Sequence, residues 1–376
     1  MPSQLVCESV SDRIIAPNDL LNVVEPPHLV DIFLNNPPVG FESLQVPFED
    51  SLTPAFRADF DLLTTLEDDA AKIRTWLHKF PFLKCFHTFS TIFVGTTATE
   101  YSNYANRDDF LGIISALKRE MVSRNSQFVI VKDIPQQSPL LSDEENRKAE
   151  MLLRQCVEQG FQSVDGQALA YVPIDFKSVD EFLMRMSKSR RKEFRKKLKD
   201  SAHVQVSELS CGDKEFFEQS FLDLLYQMYE HVYEQSEVHF DVLTKGFFKD
   251  LLQSKTGGGK VFCYKVDGRL IGYNICFVHN KTLVDKYVGF IYPDARNANL
   301  YFLSWFYNLE YAIKNGLSTY IAGWTDPAVK ASLGAKFTLT RHAVFIRNPI
   351  LRAFLASIKN VFESDSKWVA SREKDE

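Results

Sequence analysis

The chain has 376 residues, 45% of them hydrophobic and 25% charged, with a formal net charge of −5 at neutral pH. This composition excludes a disordered polymer and is enough for two packed domains of ordinary size. A slightly acidic protein has no overall field to draw in a polyanion, so any attraction for phosphate must come from local clusters.

The six cysteines, Cys7, Cys85, Cys156, Cys211, Cys263 and Cys276, are widely spaced and form no CxxC pair or Cys/His cluster. That predicts a reduced, cytoplasmic setting and no metal centre. The chain opens without a basic start and apolar run, and no later window is apolar for the roughly 18 residues of a membrane span, so neither a signal peptide nor a span is expected. GxxxxGK[ST], GxSxG and HExxH are all missing from the sequence, which removes the common phosphate-loop, serine-hydrolase and zinc-protease readings.

In chain order, residues 1–58 hold "APND", "VEPPHLVD" and "NNPPVGFE" and read as an irregular lead-in. Residues 59–177 then alternate: helix 66–80, strand 90–95, helix 107–123, strand 127–133, helix 143–159 and strand 168–174. That order argues for helices packed on a sheet. Ser178 and Glu181 have capping-box spacing, and Val179, Phe182, Leu183, Met186, Phe194 and Leu198 keep one helical face across "SKSRRKEFRKKLKD", so one long helix is expected there. Eight of those fourteen residues, 187–200, are Lys or Arg. A further helix spans 214–234, and a polar connection, "QSEVHFDVLT", follows it.

Three antiparallel strands fill 260–291, with turns at Asp267-Gly268 and Asn280-Lys281. The loop "YPDARNAN" leads to an apolar helix at 300–315, stopped by Gly316, and then to strand 318–323. This crossover makes its two flanking strands parallel neighbours. A short helix at 327–333, a strand at 338–347 and an amphipathic tail helix from 350 complete the chain.

The element order of 260–347, with the phrases "LMRMSKSRRKEFRKKLKD", "VDGRLIGYNICFV" and "DKYVGFIYPDARNANLYFLSWFYNLEYAIKNGLSTYIAGWTDPAVKASLGAKF", resembles the GNAT acyltransferase superfamily. Within it, the resemblance is to the FemAB-like branch of predicted N-acyltransferases. It covers 176–347; earlier, only "FVIVKDIP" suggests it. It implies an α/β fold with a mixed sheet built from tandem GNAT-like units: a degenerate one at 59–177, and a catalytic one at 178–349 that includes the basic linking helix. A tail at 350–376 follows. The implied activity is transfer of an acyl group from acyl-CoA to an amine acceptor, small or phosphorylated, by direct attack and without metal. Rival readings are an aminoacyl-tRNA-dependent transferase and a non-catalytic module that docks on a polyanion or a membrane surface.

By the same resemblance, Arg296, Asn297, Ala298, Asn299 and Leu300 open the crossover helix where coenzyme A would set its pyrophosphate on free backbone amides. The superfamily's glycines are missing from this loop, a departure compatible with a tRNA-borne donor; an ordinary Asn-capped helix is the plain alternative. A strict period of two along "LVDKYVGF" puts Asp285 and Tyr287 on one face and Lys286 on the other, pairing a base with a phenolic donor, or else leaving Asp285 a structural ion pair. Trp324, Thr325, Asp326 and Lys330 follow a parallel strand, where α/β sheets expose their sites; the plain alternative is that Asp326 caps a short helix and Lys330 lies in solvent. His239, beside Glu237, would border the acceptor or lie on the surface. Arg190, Arg191 and Arg195 are the basic residues best suited to bidentate phosphate contacts, with a solvated helix face as the alternative.

Overall fold

The computed structural model describes residues 20–61, 88–236 and 240–352. The expected helix at 66–80, His239 and nearly all of the tail helix lie outside them. Order begins earlier than the proline content suggests. Helix α1 (His28–Asn35) buries Leu29, Val30, Ile32 and Phe33, and strands β1 (Glu42–Phe48) and β2 (Ser51–Asp61) form a hairpin. The irregular lead-in to residue 58 is thereby corrected, since β2 runs through that boundary. Pro47 is tolerated because β1 is the outermost strand and needs hydrogen bonds on one side only.

The first unit continues with β3 (Thr88–Val94), α2 (Leu111–Ser123), β4 (Phe128–Gln136), α3 (Asp143–Glu158) and β5 (Gln162–Pro173). The basic run is two helices, α4 (Val179–Met184) and α5 (Lys188–Asp200), because Ser187 breaks the turn and caps α5 by accepting the Arg190 N–H at 3.4 Å. Strand β6 (Gln205–Ser210) and helix α7 (Lys245–Gln253) were not legible in the sequence pattern. The helix expected at 214–234 is a 3-10 turn, Lys214–Phe217, followed by α6 (Gln219–Gln235). Then come β7 (Gly259–Val266), β8 (Arg269–His279), β9 (Thr282–Phe290), the single turn α8 (Asp294–Asn297), α9 (Leu300–Lys314), β10 (Thr319–Gly323), α10 (Pro327–Ser332) and β11 (Lys336–Ile346).

Among the described residues, eleven strands join one sheet in the order β1-β2-β3-β4-β11-β5-β10-β9-β8-β7-β6. Each half is an antiparallel run ending in a parallel pair, β3 with β4 and β9 with β10. The last strands are exchanged: β5 of the first unit pairs with β10, and β11 of the second pairs with β4. Two units that swap strands cannot part without breaking ladder hydrogen bonds, so the geometry between them is fixed by the backbone. On one face of the second half, α5 and α9 pack through Phe194, Phe302, Trp305, Phe306 and Leu309. On the other, α6 and α7 pack through Leu225, Met228, Phe247 and Phe248, and Val24 and Tyr101 of the first unit cover Val284 and Ile321. No helix among the described residues is long and apolar enough to cross a membrane.

Candidate active site

Strands β9 and β10 pair at only three positions: Thr282 with Thr319, Leu283 with Tyr320, and Val284 with Ile321. Beyond Val284, β9 runs six residues further to Phe290, while β10 bulges against β5 and ends at Gly323. From Asp285 onward, β9 therefore has no ladder partner on that side, and the two strands part.

Asp285 stands at the start of this gap, on the α9 face. Its Oδ1 accepts from Asn274 Nδ2 at 3.1 Å and Cys276 Sγ at 3.5 Å; its Oδ2 accepts from Asn308 Nδ2 at 2.9 Å and the Tyr320 hydroxyl at 3.2 Å. Burial raises the carboxyl pKa, while the bonds from Asn274, Cys276 and Tyr320 and the charge of Lys330 oppose the rise. With both oxygens occupied by donors, Asp285 is held in one orientation under α9.

Tyr287 does not share that wall. The β8–β9 register shifts between Ile275 and Cys276, so that Asp285 faces Cys276, Tyr287 faces Ile275, and Lys286 is the extra residue of a bulge. The bulge breaks the period of two and turns Tyr287 to the opposite face, where its ring lies 5.7 Å from Phe247 and 6.0 Å from Phe248. The phenols on the Asp285 side include Tyr320, Tyr264, which donates to Asn274 Oδ1 at 2.8 Å, and Tyr301, which feels the charges of Asp326 and Asp285.

Lys330 reaches the gap from α10. It is 4% exposed, and its Nζ lies 3.8 Å from where a Cβ on Gly323, the last residue of β10, would stand. It makes no hydrogen bond or ion pair with any described side chain. Burial lowers its pKa to about 8, against the opposing charges of Glu100, Asp285 and Asp326. A lone buried ammonium is costly.

Outside the gap, a cavity of about 600 Å³ lies between α5, the end of β9, the start of α9 and α10; Arg190, Lys197, Arg296, Asn299, Leu300 and Tyr301 are among its lining. Leu303 N–H is the first of α9 to bond back, to the Asn299 carbonyl at 2.9 Å, so the amides of Leu300, Tyr301 and Phe302 precede the first closed turn. Arg296 stacks on Tyr292 at 4.8 Å, and Lys197 stands 5.4 Å over the Phe302 ring. Ser201 fastens the end of α5 to this loop by donating to the Ala298 carbonyl at 2.9 Å. The cavity is thus a basic, aromatic-walled site with one acidic member, Glu193, which is paired with Lys197 at 2.7 Å.

Of the other residues singled out from sequence, Asn297 is exposed and Ala298 is buried, and neither lines the cavity. Arg191 donates to the Met184 and Met186 carbonyls and secures the end of α4; Arg195 pairs with Asp180 at 2.9 Å. Arg190 is the member of that trio on the cavity wall. Trp324 packs edge-on to Tyr101 at 6.3 Å, Thr325 is exposed, and Asp326 takes a left-handed conformation (φ 53°) at the start of α10 without capping it through its side chain. Asn274, Asn308 and Tyr320 were missed. Asn274 in the apolar strand "GYNICFV" and Asn308 in the apolar helix "WFYNLEY" were the available signals, because a buried amide needs partners.

No curated protein sequence matches the chain. Among solved structures, L-PGS from Bacillus licheniformis is 10% identical, with a TM-score of 0.51 over 90% of this chain and 98% of that one. FemX is 11% identical, with a TM-score of 0.51 over 90% and 99%. A conserved protein of unknown function from Bacteroides thetaiotaomicron is 10% identical, with a TM-score of 0.50 over 85% and 90%. At such identities these likenesses concern the fold alone. A sequence model of the FemAB-like family, described as peptidoglycan biosynthesis/recognition, matches residues 147–371, more than half of the chain and the whole of the second unit with its gap and cavity; the protein belongs to the FemAB-like family.

Proposed function

We propose that the protein is an N-acyltransferase that moves an acyl group from acyl-CoA to an amine. The observation that carries this reading is the early end of the β9–β10 ladder, with the partnerless Lys330 standing at the parting beside Asp285. A thin activated chain fits such a gap, and its phosphate end has Arg190, Lys197, Arg296 and the free amides of α9 outside it.

The amine nitrogen attacks the thioester carbonyl. Lys330 stabilises the oxyanion, the C–S bond breaks as the amide forms, and the proton leaving nitrogen ends on the sulfur. Attack is direct. Cys276 donates its thiol to Asp285, but burial and the Asp285 charge hold its pKa far above that of a usable nucleophile. Asp285 positions Lys330 electrostatically and takes no proton.

Calorimetric titration with acetyl-CoA and longer acyl-CoA thioesters tests this reading: binding is expected, and Arg190→Gln with Arg296→Gln should weaken it. A second reading, an aminoacyl-tRNA donor, is favoured by one observation: exposed Lys188, Lys192, Lys196 and Lys199 carry the positive charge of α5 beyond the cavity. Failure of every thioester to bind, with aminoacyl-tRNA binding that falls steeply with salt, would replace the first reading with the second.

A further inference from the structure

Helix α5 is charged against its own stability. Eight of its 13 residues are Lys or Arg, against Glu193 and Asp200, in a chain whose net charge is −5. The rest of the molecule is therefore markedly acidic, and positive charge is gathered on one helix. The first turn carries Lys188, Arg190 and Arg191 and no acidic residue, which sets cations on the positive end of the helix dipole. Lys188, Lys192 and Lys196 follow one another at a spacing of four, where like charges repel across each turn. This pattern adds nothing to the packing of Phe194 and weakens the helix that carries it.

The cations divide by position. Arg191 holds the Met184 and Met186 carbonyls, Arg195 pairs with Asp180, and Arg190 and Lys197 face the cavity. The other four, Lys188, Lys192, Lys196 and Lys199, are exposed and have no ion pair among the described residues. At about 100° per residue they fall in one arc of about 80°, on the side of α5 turned away from the buried Phe194. They form a ridge about 20 Å long. At its N-terminal end, Met184 closes α4 with 60% exposure.

We infer that this ridge docks on the surface of an anionic phospholipid bilayer, with Met184 entering the headgroup layer. The contact is independent of which donor the protein uses. A negative partner relieves both the dipole mismatch and the repulsion between lysines. A broad field of phosphate charge suits lysines, which act as point charges. The outward side of α5 offers no unpaired arginine fork and no aromatic ring for stacking a base, so a folded RNA fits it less well. Because the rest of the chain is acidic, the same surface repels it, and the protein settles with α5 towards the lipid.

The test is flotation of the full chain with vesicles of phosphatidylcholine, alone or mixed with phosphatidylglycerol. Binding is expected to the mixed vesicles only and should fall as salt screens the charges. Lys192→Gln with Lys196→Gln should weaken it by about tenfold or more, since each lysine near an anionic surface contributes roughly fivefold. Lys214→Gln with Lys255→Gln removes two exposed lysines that flank α6 and α7 and should leave binding unchanged. The Tm of the α5 variant should hold or rise, because a repelling pair is gone. A lower Tm would mark damage to the fold, and Lys188→Gln with Lys199→Gln then carries the comparison. Met184→Ser should weaken vesicle binding severalfold and leave any binding of tRNA as it was. No binding to the mixed vesicles, or equal binding by the α5 variant and its control, overturns the inference. Binding of tRNA without vesicles also overturns it and gives the ridge to the second donor reading; a Met184→Ser protein that binds vesicles like the wild type overturns it in favour of a site for any polyanion.

Discussion

The two units are built around the same feature, a parallel strand pair followed by a loop, and they finish it in opposite ways. In the first, the chain leaving β3 folds straight back: Ser102 donates its hydroxyl to the Val94 carbonyl at 2.8 Å and its N–H to the Asp133 carbonyl at 3.3 Å. One serine thus stitches the ends of β3 and β4 together. Gly95, with φ +95°, is required there, because a Cβ would stand 2.8 Å from Ser102 Oγ. In the second unit the Tyr320 hydroxyl of β10 reaches Asp285 of β9 at 3.2 Å at the start of the gap, but beyond it no hydrogen bond among the described residues ties the two strands, and the gap holds the buried Lys330. Parting strands are a property of the fold; the side chains that close or line the gap decide whether it can be a site.

The sharpest way to break this contrast is to remove the cation. Lys330→Met should lower turnover by about 10²–10³-fold with thioester affinity unchanged, the scale of losing an oxyanion partner. The same variant should be more stable by about 1–3 kcal/mol at neutral pH in denaturant titrations. The sign follows from the depressed pKa. The folded state binds fewer protons than the unfolded one between about 8 and the ordinary 10.5, so the wild type gains stability as pH rises through that window and the difference from Lys330→Met shrinks. Turnover should fall above pH 8 as Lys330 loses its charge, and Lys330→Arg should move that limb upward.

A smaller effect is expected one layer out. Asp285→Asn places an amide against four donors, and should cost about 1–3 kcal/mol of stability and about tenfold or more in turnover; unchanged kinetics would reduce Asp285 to a structural anchor. Next, Arg190→Gln with Arg296→Gln should weaken donor binding about tenfold in calorimetry, whereas Arg195→Gln, paired away from the cavity, should leave it unchanged. The smallest change belongs to the first unit. Ser142 caps α3 and exchanges hydrogen bonds with Glu145 in a capping box, so Ser142→Ala should lower stability by about 1 kcal/mol without altering transfer.

Much of the second unit was legible because its signals are local. The turns at Asp267-Gly268 and Asn280-Lys281, the helix stop at Gly316 and the helix start at Pro327 all fall where the sequence puts them. The site was legible in part: Lys330, Arg190, Arg296, Asn299 and Leu300 fall at the gap or the cavity, whereas Tyr287 lies across the sheet from Asp285. A bulge at Lys286 leaves no mark in residue type, since it arises from the register of β8 against β9. Glu25 and Glu100, whose buried carboxylates meet Lys286, were illegible for a different reason: they lie in segments whose composition reads as surface.

By itself the sequence determined the three-strand meander of the second unit, the crossover helix with the strand and short helix after it, and the family, since each depends on residues within a few turns of one another or on a pattern carried along the chain. Only the tertiary structure decided that the strands are exchanged, that Tyr287 faces away, that one parallel pair is stitched shut, and that carboxylates from the first unit meet a lysine from the second. Those outcomes depend on pairings between segments as far apart as Glu100 and Lys286, which are selected by packing and charge burial after the local elements have formed.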